Sequence, residues 1–257
     1  MTAAIANNPR FTVLDETADF IVVDKPAPLQ IHPKKPGGPP TLYDGLRELL
    51  AFEMANGGQV SIINRLDRET SGVVLVAKNA ATARRFGLAM QARSFQKTYA
   101  ALVHGWPEWD EYTCRAPILR KGEVAPSAIW VQQMVHPAGA ECCTEFRVTG
   151  RHTRSGRRIA LLTARPVTGR MHQIRVHLAH LGHAVLGDKI YGADERCYLD
   201  FIETGWTPDL ESRLLMPRHA LHSRELGVRI DAKAYRWTAP FPVDMRTWLE
   251  PHPPHEP

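Results

Sequence analysis

Nothing in this chain marks it for export or for a membrane. No apolar run approaches the roughly 18 residues that a spanning helix needs. The N-terminus, MTAAIANNPR, has neither a basic leader nor an apolar stretch behind it. Cysteine is scarce, and Cys114, Cys142, Cys143 and Cys197 form neither a disulfide framework nor a C-x-x-C zinc pattern. Reduced thiols in a cytoplasmic protein is the reading that follows. No G-x-G-x-x-G follows a strand-like run, and there is no G-x-x-x-x-G-K-[ST] or G-x-S-x-G. Dinucleotide, phosphoryl-transfer and serine-hydrolase chemistries therefore lack their characteristic loops. His172, His177, His180 and His183 crowd one segment, but no H-E-x-x-H or acidic ligand accompanies them. Helix capping or partner contact fits these histidines better than a metal.

What is present is a mildly basic chain of 257 residues, with 32 Lys and Arg against 27 Asp and Glu. Its length suits one large domain or two small ones. Hydrophobic content of 44% and charged content of 23% are ordinary for a globular protein. The net charge of +5 argues weakly for a polyanionic partner, but its distribution says more. Eight arginines (147, 151, 154, 157, 158, 165, 170 and 175) fall in one stretch, and no acidic residue appears from Arg147 until Asp188. A solvated face and a phosphate-binding surface both explain such a run.

Pattern and punctuation predict interspersed strands and helices. Phe11–Leu14 and Phe20–Val23 read as strands joined by DETAD, and Lys25–Pro40 is a Pro- and Gly-rich loop. Thr41 opens a helix with Asp44 as capping-box partner and Leu42, Leu46, Leu49 and Leu50 on its apolar face. GQVSII and Val73–Ala77 are strand-like, and Asn79 can cap a helix reaching about Arg93, with Ala83, Phe86 and Met90 at helical spacing. Thr98–Gly105 reads as a strand. CTEFRVTG and RIALLTA read as a hairpin whose basic tip is RHTRSGR. Thr168–His183 reads as a helix capped by Thr168, buried through Met171, Ile174, Leu178 and Leu181, and closed by Gly182. ALHSRELGVRI is a late strand, and PHPPHEP a flexible end. The expectation is one mixed α+β domain without repeats.

One stretch holds back from this bland account. In INRLDRETSG, Arg65 and Arg68 flank Asp67 just ahead of the Val73–Ala77 strand. Thr70, Ser71 and Gly72 form a turn able to hold a carboxylate through backbone N–H groups or hydroxyls. An aspartate beside an arginine stays ionised. A fixed, ionised carboxylate can act as nucleophile or base, and a turn aspartate in an ion pair is the structural alternative.

The motifs together are more specific. NRLDRETSGVVLVAKN resembles the catalytic motif of RluA-type pseudouridine synthases, R-L-D-x-x-T-S-G before a strand. DFIVVDKPAPLQIHP precedes it, and KTYAALVHG, TGRMHQIRVHLAHLGHAVLGDKIYG, ALHS and FPVDM follow in that family's order, from about Phe11 to Leu249. The resemblance implies a single catalytic domain over 11–249 with flexible tails at 1–10 and 250–257. It implies a mixed, mainly antiparallel β-sheet with flanking helices and a central RNA-binding cleft. Many family members carry an N-terminal S4-type domain, for which a core starting at Phe11 leaves no room. The implied activity is isomerisation of uridine in folded ribosomal or transfer RNA to pseudouridine. That chemistry involves no redox change or hydrolysis, which agrees with an expectation of no cofactor and no metal. The expected partner is RNA alone, bound by a cytoplasmic monomer with no membrane and no obligate protein partner.

Residue roles come over from the resemblance position by position. Asp67 matches the catalytic aspartate, Tyr99 of KTY the active-site tyrosine, and Arg175 of HQIR the arginine that keeps the aspartate charged. Arginine suits that task because it does not deprotonate and offers a two-pronged hydrogen bond. Arg65 matches the residue that fills the gap left by a flipped base, with an ion pair to Asp67 as its local alternative. Arg68, Lys97, Arg170, His172 and Gln173 are expected to position phosphates or shape the cleft. Lys25 and His32 are expected at its rim. Asn64 stands where many relatives have histidine, and an asparagine cannot titrate. The acidic segment from Ala193 to Pro217 is expected to be a surface helix. A non-catalytic RNA-binding factor and a glycosidic hydrolase are the competing classes. The latter needs a second carboxylate, for which Asp188 is the nearest candidate.

Overall fold

The computed structural model describes residues 11–250, so the expected flexible tails lie outside the described residues except for Glu250. Elements are numbered along the chain. Two compact units form among the described residues: one holds residues 11–96 together with Ser223–Pro240, the other Lys97–His222 together with residues 241–250.

In the first unit, β1 (Thr12–Glu16), β2 (Phe20–Lys25), β4 (Ser71–Ala77) and β11 (Leu221–Ile230, in this unit from Ser223) lie side by side in that order. The two-residue β3 (Ser61–Ile62) pairs with β4, and β12 (Lys233–Thr238) with β11, both antiparallel. All seven residues of β4 and the first four of β2 are buried, so both read as continuous apolar runs rather than alternating ones. Helix α3 (Ala80–Gln91) starts where Asn79 accepts from the Thr82 N–H, and lays Phe86 on a core of Phe20, Val22, Leu75 and Trp237. Thr41 and Asp44 form the predicted capping box at α1 (Leu42–Leu49), which is followed by the short α2 (Ala51–Ala55). Leu42, Leu46 and Leu50 are buried, but Leu49 is 49% exposed at the edge of their stripe.

In the second unit, β5 (Gln96–His104, in this unit from Lys97), β10 (Arg157–Pro166), β9 (Thr144–Arg154) and β6 (Glu111–Cys114) follow one another, every pair antiparallel. A separate two-stranded ribbon pairs β7 (Ile118–Arg120) with β8 (Gln133–Val135). The core takes in Leu102, Phe146, Ile159, Leu162, Leu178, Leu186 and Met245. The last of these is on α7 (Val243–Leu249). The β9–β10 hairpin is longer than predicted. Pairing continues to Arg154 and Arg157, and only Ser155 and Gly156, both at positive φ, make the turn.

Three predictions about the TGRMHQIR segment are corrected. Helix α4 spans Gln173–His180, not Thr168–His183, because His172 takes a left-handed conformation (φ 55°) that no helix continues through. The Thr168 hydroxyl instead accepts from the Cys143 N–H and donates to Gln173 Oε1. Met171, outside the helix, is 54% exposed, whereas Ile174 and Leu178 are buried as predicted. The acidic segment forms two helices, α5 (Arg196–Thr204) and α6 (Pro208–Leu214), around buried Cys197, Leu210 and Leu214. Arg213 lies within 3.1–3.5 Å of Asp194, Asp200 and Asp209 and draws these three carboxylates together.

Candidate active site

In the first unit the Asn64–Arg68 stretch mixes buried and exposed side chains, and Thr70–Gly72 are buried. Asn64 and Leu66 are buried, Asp67 is partly exposed, and Arg65 and Arg68 face solvent. Asn64 explains itself by geometry. Its Nδ2 donates to the Val73 carbonyl at 2.9 Å and its Oδ1 accepts from the Leu75 N–H at 2.8 Å. The side-chain amide thus stands in for a peptide group beside β4, a double role that needs one donor and one acceptor together. On the other side, Lys25 is fully buried rather than at a rim. Its Nζ donates to the carbonyls of Pro26, Leu29 and Arg68 at 2.9–3.2 Å. The Arg68 carbonyl also accepts from the Leu29 N–H, and the Thr70 N–H closes a turn on the Asp67 carbonyl. Asp67 is therefore carried on a backbone tied down on both flanks. His32 is exposed and lies against the Tyr43 ring.

Gly72 completes the segment. Its φ is +113°, and a Cβ there would lie 2.1 Å from the Ser223 carbonyl oxygen. Only glycine allows β11 to approach β4 so closely.

In the second unit Arg175 is the centre. It is 5% exposed and pairs in a two-pronged manner with Asp188, Nε to Oδ2 at 2.6 Å and Nη2 to Oδ1 at 2.8 Å. Asp188, fully buried, also accepts from the Ile190 and Tyr191 N–H groups. Burial pushes its carboxyl up, but Arg175 and those N–H groups outweigh it and hold it below the usual carboxylate range. The Arg175 guanidinium lies over the Tyr191 ring at 5.0 Å, and the Tyr191 hydroxyl is 2.8 Å from His172 Nδ1. His219 sits entirely inside. Burial first, then the positive field of Arg175 and Arg218, holds it well below the ordinary histidine value, so it is neutral at pH 7.

Gln173, expected to position phosphates or shape the cleft, is an internal residue. It is 3% exposed, its Nε2 donates to the Cys143 carbonyl and Thr144, and its Oε1 accepts from the Arg170 N–H. That leaves the Arg170 side chain exposed on a fixed loop. Lys97 lies beside that loop, with Nζ 3.7 Å from where a Gly169 Cβ would stand, and burial lowers its pKa. Tyr99 is half-buried on β5 opposite Ala164. His177 is wholly internal, hydrogen-bonded to Thr144 Oγ1 and the Ala116 carbonyl, and burial lowers its pKa.

The basic stretch is largely engaged by the protein itself. Arg151 reaches Asp110 at 2.8 Å and the Pro107 and Trp109 carbonyls. Arg147 lies 3.3 Å from Glu111, while Arg154 and Arg158 stack on Trp248 and Trp106. The carboxylates that the stretch lacks arrive from β6 and its approach. Sequence reasoning missed Tyr191, and it named Asp188 only as a hydrolytic candidate. The spacing of Asp188 after HQIR was the available signal, but nothing in sequence says which cation it meets.

A family model described as RNA pseudouridylate synthase matches residues 19–180. Over 257 aligned residues the chain is 33% identical to the ribosomal large subunit pseudouridine synthase D of Pseudomonas aeruginosa, covering 95% of this chain and 72% of that protein. The protein of the same name from Haemophilus ducreyi is 32% identical, with 95% and 71% covered. The solved structure titled Human RNA Pseudouridylate Synthase Domain Containing 1 superposes with a TM-score of 0.70 at 25% identity, covering 91% of this chain and 85% of that one.

Proposed function

Because this chain belongs to the RNA pseudouridylate synthase family, whose enzymes isomerise uridine in RNA to pseudouridine, we propose that Asp67 is its nucleophile and ribosomal RNA its substrate. The N1–C1′ bond is broken, the uracil turns while held, and a C5–C1′ bond forms. The C5 proton leaves, N1 takes up a proton, and the bond made by Asp67 is broken again to free the carboxylate. The observation that carries the assignment is a partly exposed carboxylate on a segment that Asn64 and Lys25 tie down from both sides. Attack at C1′ and attack on the uracil ring make the same demand, a charged carboxylate that does not wander. The names of the two bacterial relatives favour large-subunit ribosomal RNA over transfer RNA.

The other roles are proposed on the same footing. Arg175 supplies the permanent cation that a charged Asp67 needs. Tyr99 offers its ring to the uracil and its hydroxyl to proton transfer. The target base leaves its stack at a cost of a few kcal/mol. Arg65, outward-facing two residues before Asp67, fills the space left behind. Arg68, Lys97, Arg170 and His172 contact or orient the phosphates, with Gln173 acting through its loop. The catalytic domain is proposed to take in both units, 11–249, and to act as a cytoplasmic monomer without an obligate protein partner; no described helix is long and apolar enough to cross a membrane.

Hydrolysis is the weaker reading, since Asp188, the nearest candidate among the matched motifs for a second carboxylate, is spent on Arg175 and shut away from water. The decisive experiment uses RNA carrying 5-tritiated uridine. Wild-type protein releases tritium, whereas Asp67→Asn and Asp67→Ala release none while still binding RNA. Undiminished release by either variant would remove Asp67 from the chemistry, and free uracil among the products would point to hydrolysis instead.

A further inference from the structure

Trp130 is 76% exposed, the most open tryptophan among the exposed large hydrophobic residues. It stands on the segment joining β7 to β8, and the Arg120 guanidinium lies over one ring face, 3.9 Å from the centroid. A ring covered on one side and still so exposed has its other face in water. Such a surface costs solvation, and an idle one would be expected on a loose loop.

This loop is not loose. The Gln132 N–H closes a turn on the Ile129 carbonyl at 3.0 Å, with Trp130 and Val131 at its tip. Ser127 Oγ accepts from the Ile129 N–H and donates toward Gln132 Oε1, and Ile129 is 3% exposed. Gln132 is buried and donates to Glu195, which also pairs with Lys121 at 2.6 Å. Arg120 itself has Glu123 at 3.5 Å, so it offers the ring a flat cationic backing more than a free charge. An exposed aromatic has thus been fixed in place before any partner arrives.

The same segment leads directly to the Arg175 cluster. The Gln133 N–H donates to the Tyr191 hydroxyl at 2.9 Å, and that hydroxyl also meets His172. The Trp130 backbone is three residues from Gln133, a span of at most about 11 Å, to which the side chain adds its own reach. Stacked nucleotides rise about 3.4 Å per step along one strand, so the ring lies within a few nucleotides of the Tyr191–His172 pair.

We propose that Trp130, backed by Arg120, is a stacking platform for an unpaired base of the RNA substrate, a few nucleotides from the strand that meets the Tyr191–His172 pair. The proposal rests on the reading of the chain as an RNA uridine isomerase and adds a substrate-binding subsite to it. Aromatic stacking suits this position because every base has a π-face, and it holds a strand without reading sequence. The shared burial of ring and base also orders the strand at the moment the target base is extruded.

The test compares Trp130→Ala and Trp130→Phe with wild type, using RNA binding and tritium release from 5-tritiated ribosomal RNA. Trp130→Ala should weaken RNA affinity and raise KM by roughly 5- to 150-fold, the range set by loss of one base–aromatic stack. The change in kcat should be the smaller one, and Trp130→Phe should restore most of the affinity. The salt dependence of binding should keep its slope, because no phosphate contact has been lost. Melting temperatures should stay close, which separates the subsite from a merely structural arginine–tryptophan pair. Unchanged affinity in Trp130→Ala would overturn the proposal, as would equal losses in the alanine and phenylalanine variants. If wild-type protein binds RNA but releases no tritium, the functional reading fails, and the binding comparison still judges the platform.

Discussion

Arg175 is a buried cation whose orientation is set by one carboxylate, and Asp188 is that carboxylate. Removing one partner of a buried pair leaves the other charge uncompensated. Asp188→Ala should therefore cost about 3–5 kcal/mol in stability, read from urea midpoints. In the fraction that folds, tritium release should fall through kcat, since Arg175 no longer has a fixed direction. Asn64 shows a milder version of the same dependence. Asn64→Ala leaves the Val73 carbonyl and the Leu75 N–H without their amide partner, at a cost of about 1–3 kcal/mol. The sequence left Asn64 as a doubtful proton shuttle. Its hydrogen bonds give it a backbone-mimicking role that titration would spoil.

At the scale of an element, β2 and β4 carry strain and charge that their apolar runs hide. Gly72→Ala puts a methyl group against the Ser223 backbone at a φ that alanine avoids. The loss should exceed the roughly 3 kcal/mol that most substitutions reach. A urea midpoint for Gly72→Ala close to wild type would show that β11 can step back from β4. On β2, burial raises the Asp24 carboxyl from 3.8 to about 6 despite neighbouring Lys25. The folded value lies above the unfolded one, so the neutral form favours folding below pH 3.8 and this advantage is lost as pH rises through about 6. Asp24→Asn should accordingly stabilise the protein at pH 8, by about 1–2 kcal/mol once solvent screening is allowed for, and by little at pH 4. Equal urea midpoints for variant and wild type at pH 8 would refute this.

The elements also show why prediction succeeded where it did. Thr41 with Asp44 and Asn79 with Thr82 are local signals, decided within four residues, and both caps formed as read. Thr168 carried an equally good local signal and failed. Its hydroxyl was claimed by Cys143 and Gln173, one of them twenty-five residues away. Met171 stayed out of the core for the same reason, because the helix that would have buried it starts two residues later.

For the whole molecule, net charge is a poor guide to which arginines meet RNA. Arg151 is occupied by Asp110 and two carbonyls, and Arg154 by the Thr247 carbonyl and the Trp248 ring. Arg68, on the Asp67 segment, and Arg170, on the loop before α4, are both exposed. Plots of log affinity against log salt should therefore lose about one unit of slope in Arg68→Gln and Arg170→Gln. Arg151→Gln should leave the slope unchanged and lower stability instead. A shallower slope in Arg151→Gln would return the β9–β10 hairpin to the RNA-binding surface.

The sequence by itself determined the family, the α+β class, most strands and the identity of the proposed nucleophile, because ordered motifs and short-range periodicity survive without a structure. Tertiary structure alone decided which charges are spent and which are available. Ion pairs such as Arg175 with Asp188 and Arg151 with Asp110 join residues 13 and 41 positions apart, and charge attraction depends on distance in space rather than along the chain. It also decided that Lys25 is a buried tie and that Trp130 is exposed, since burial belongs to neighbours that no local pattern names.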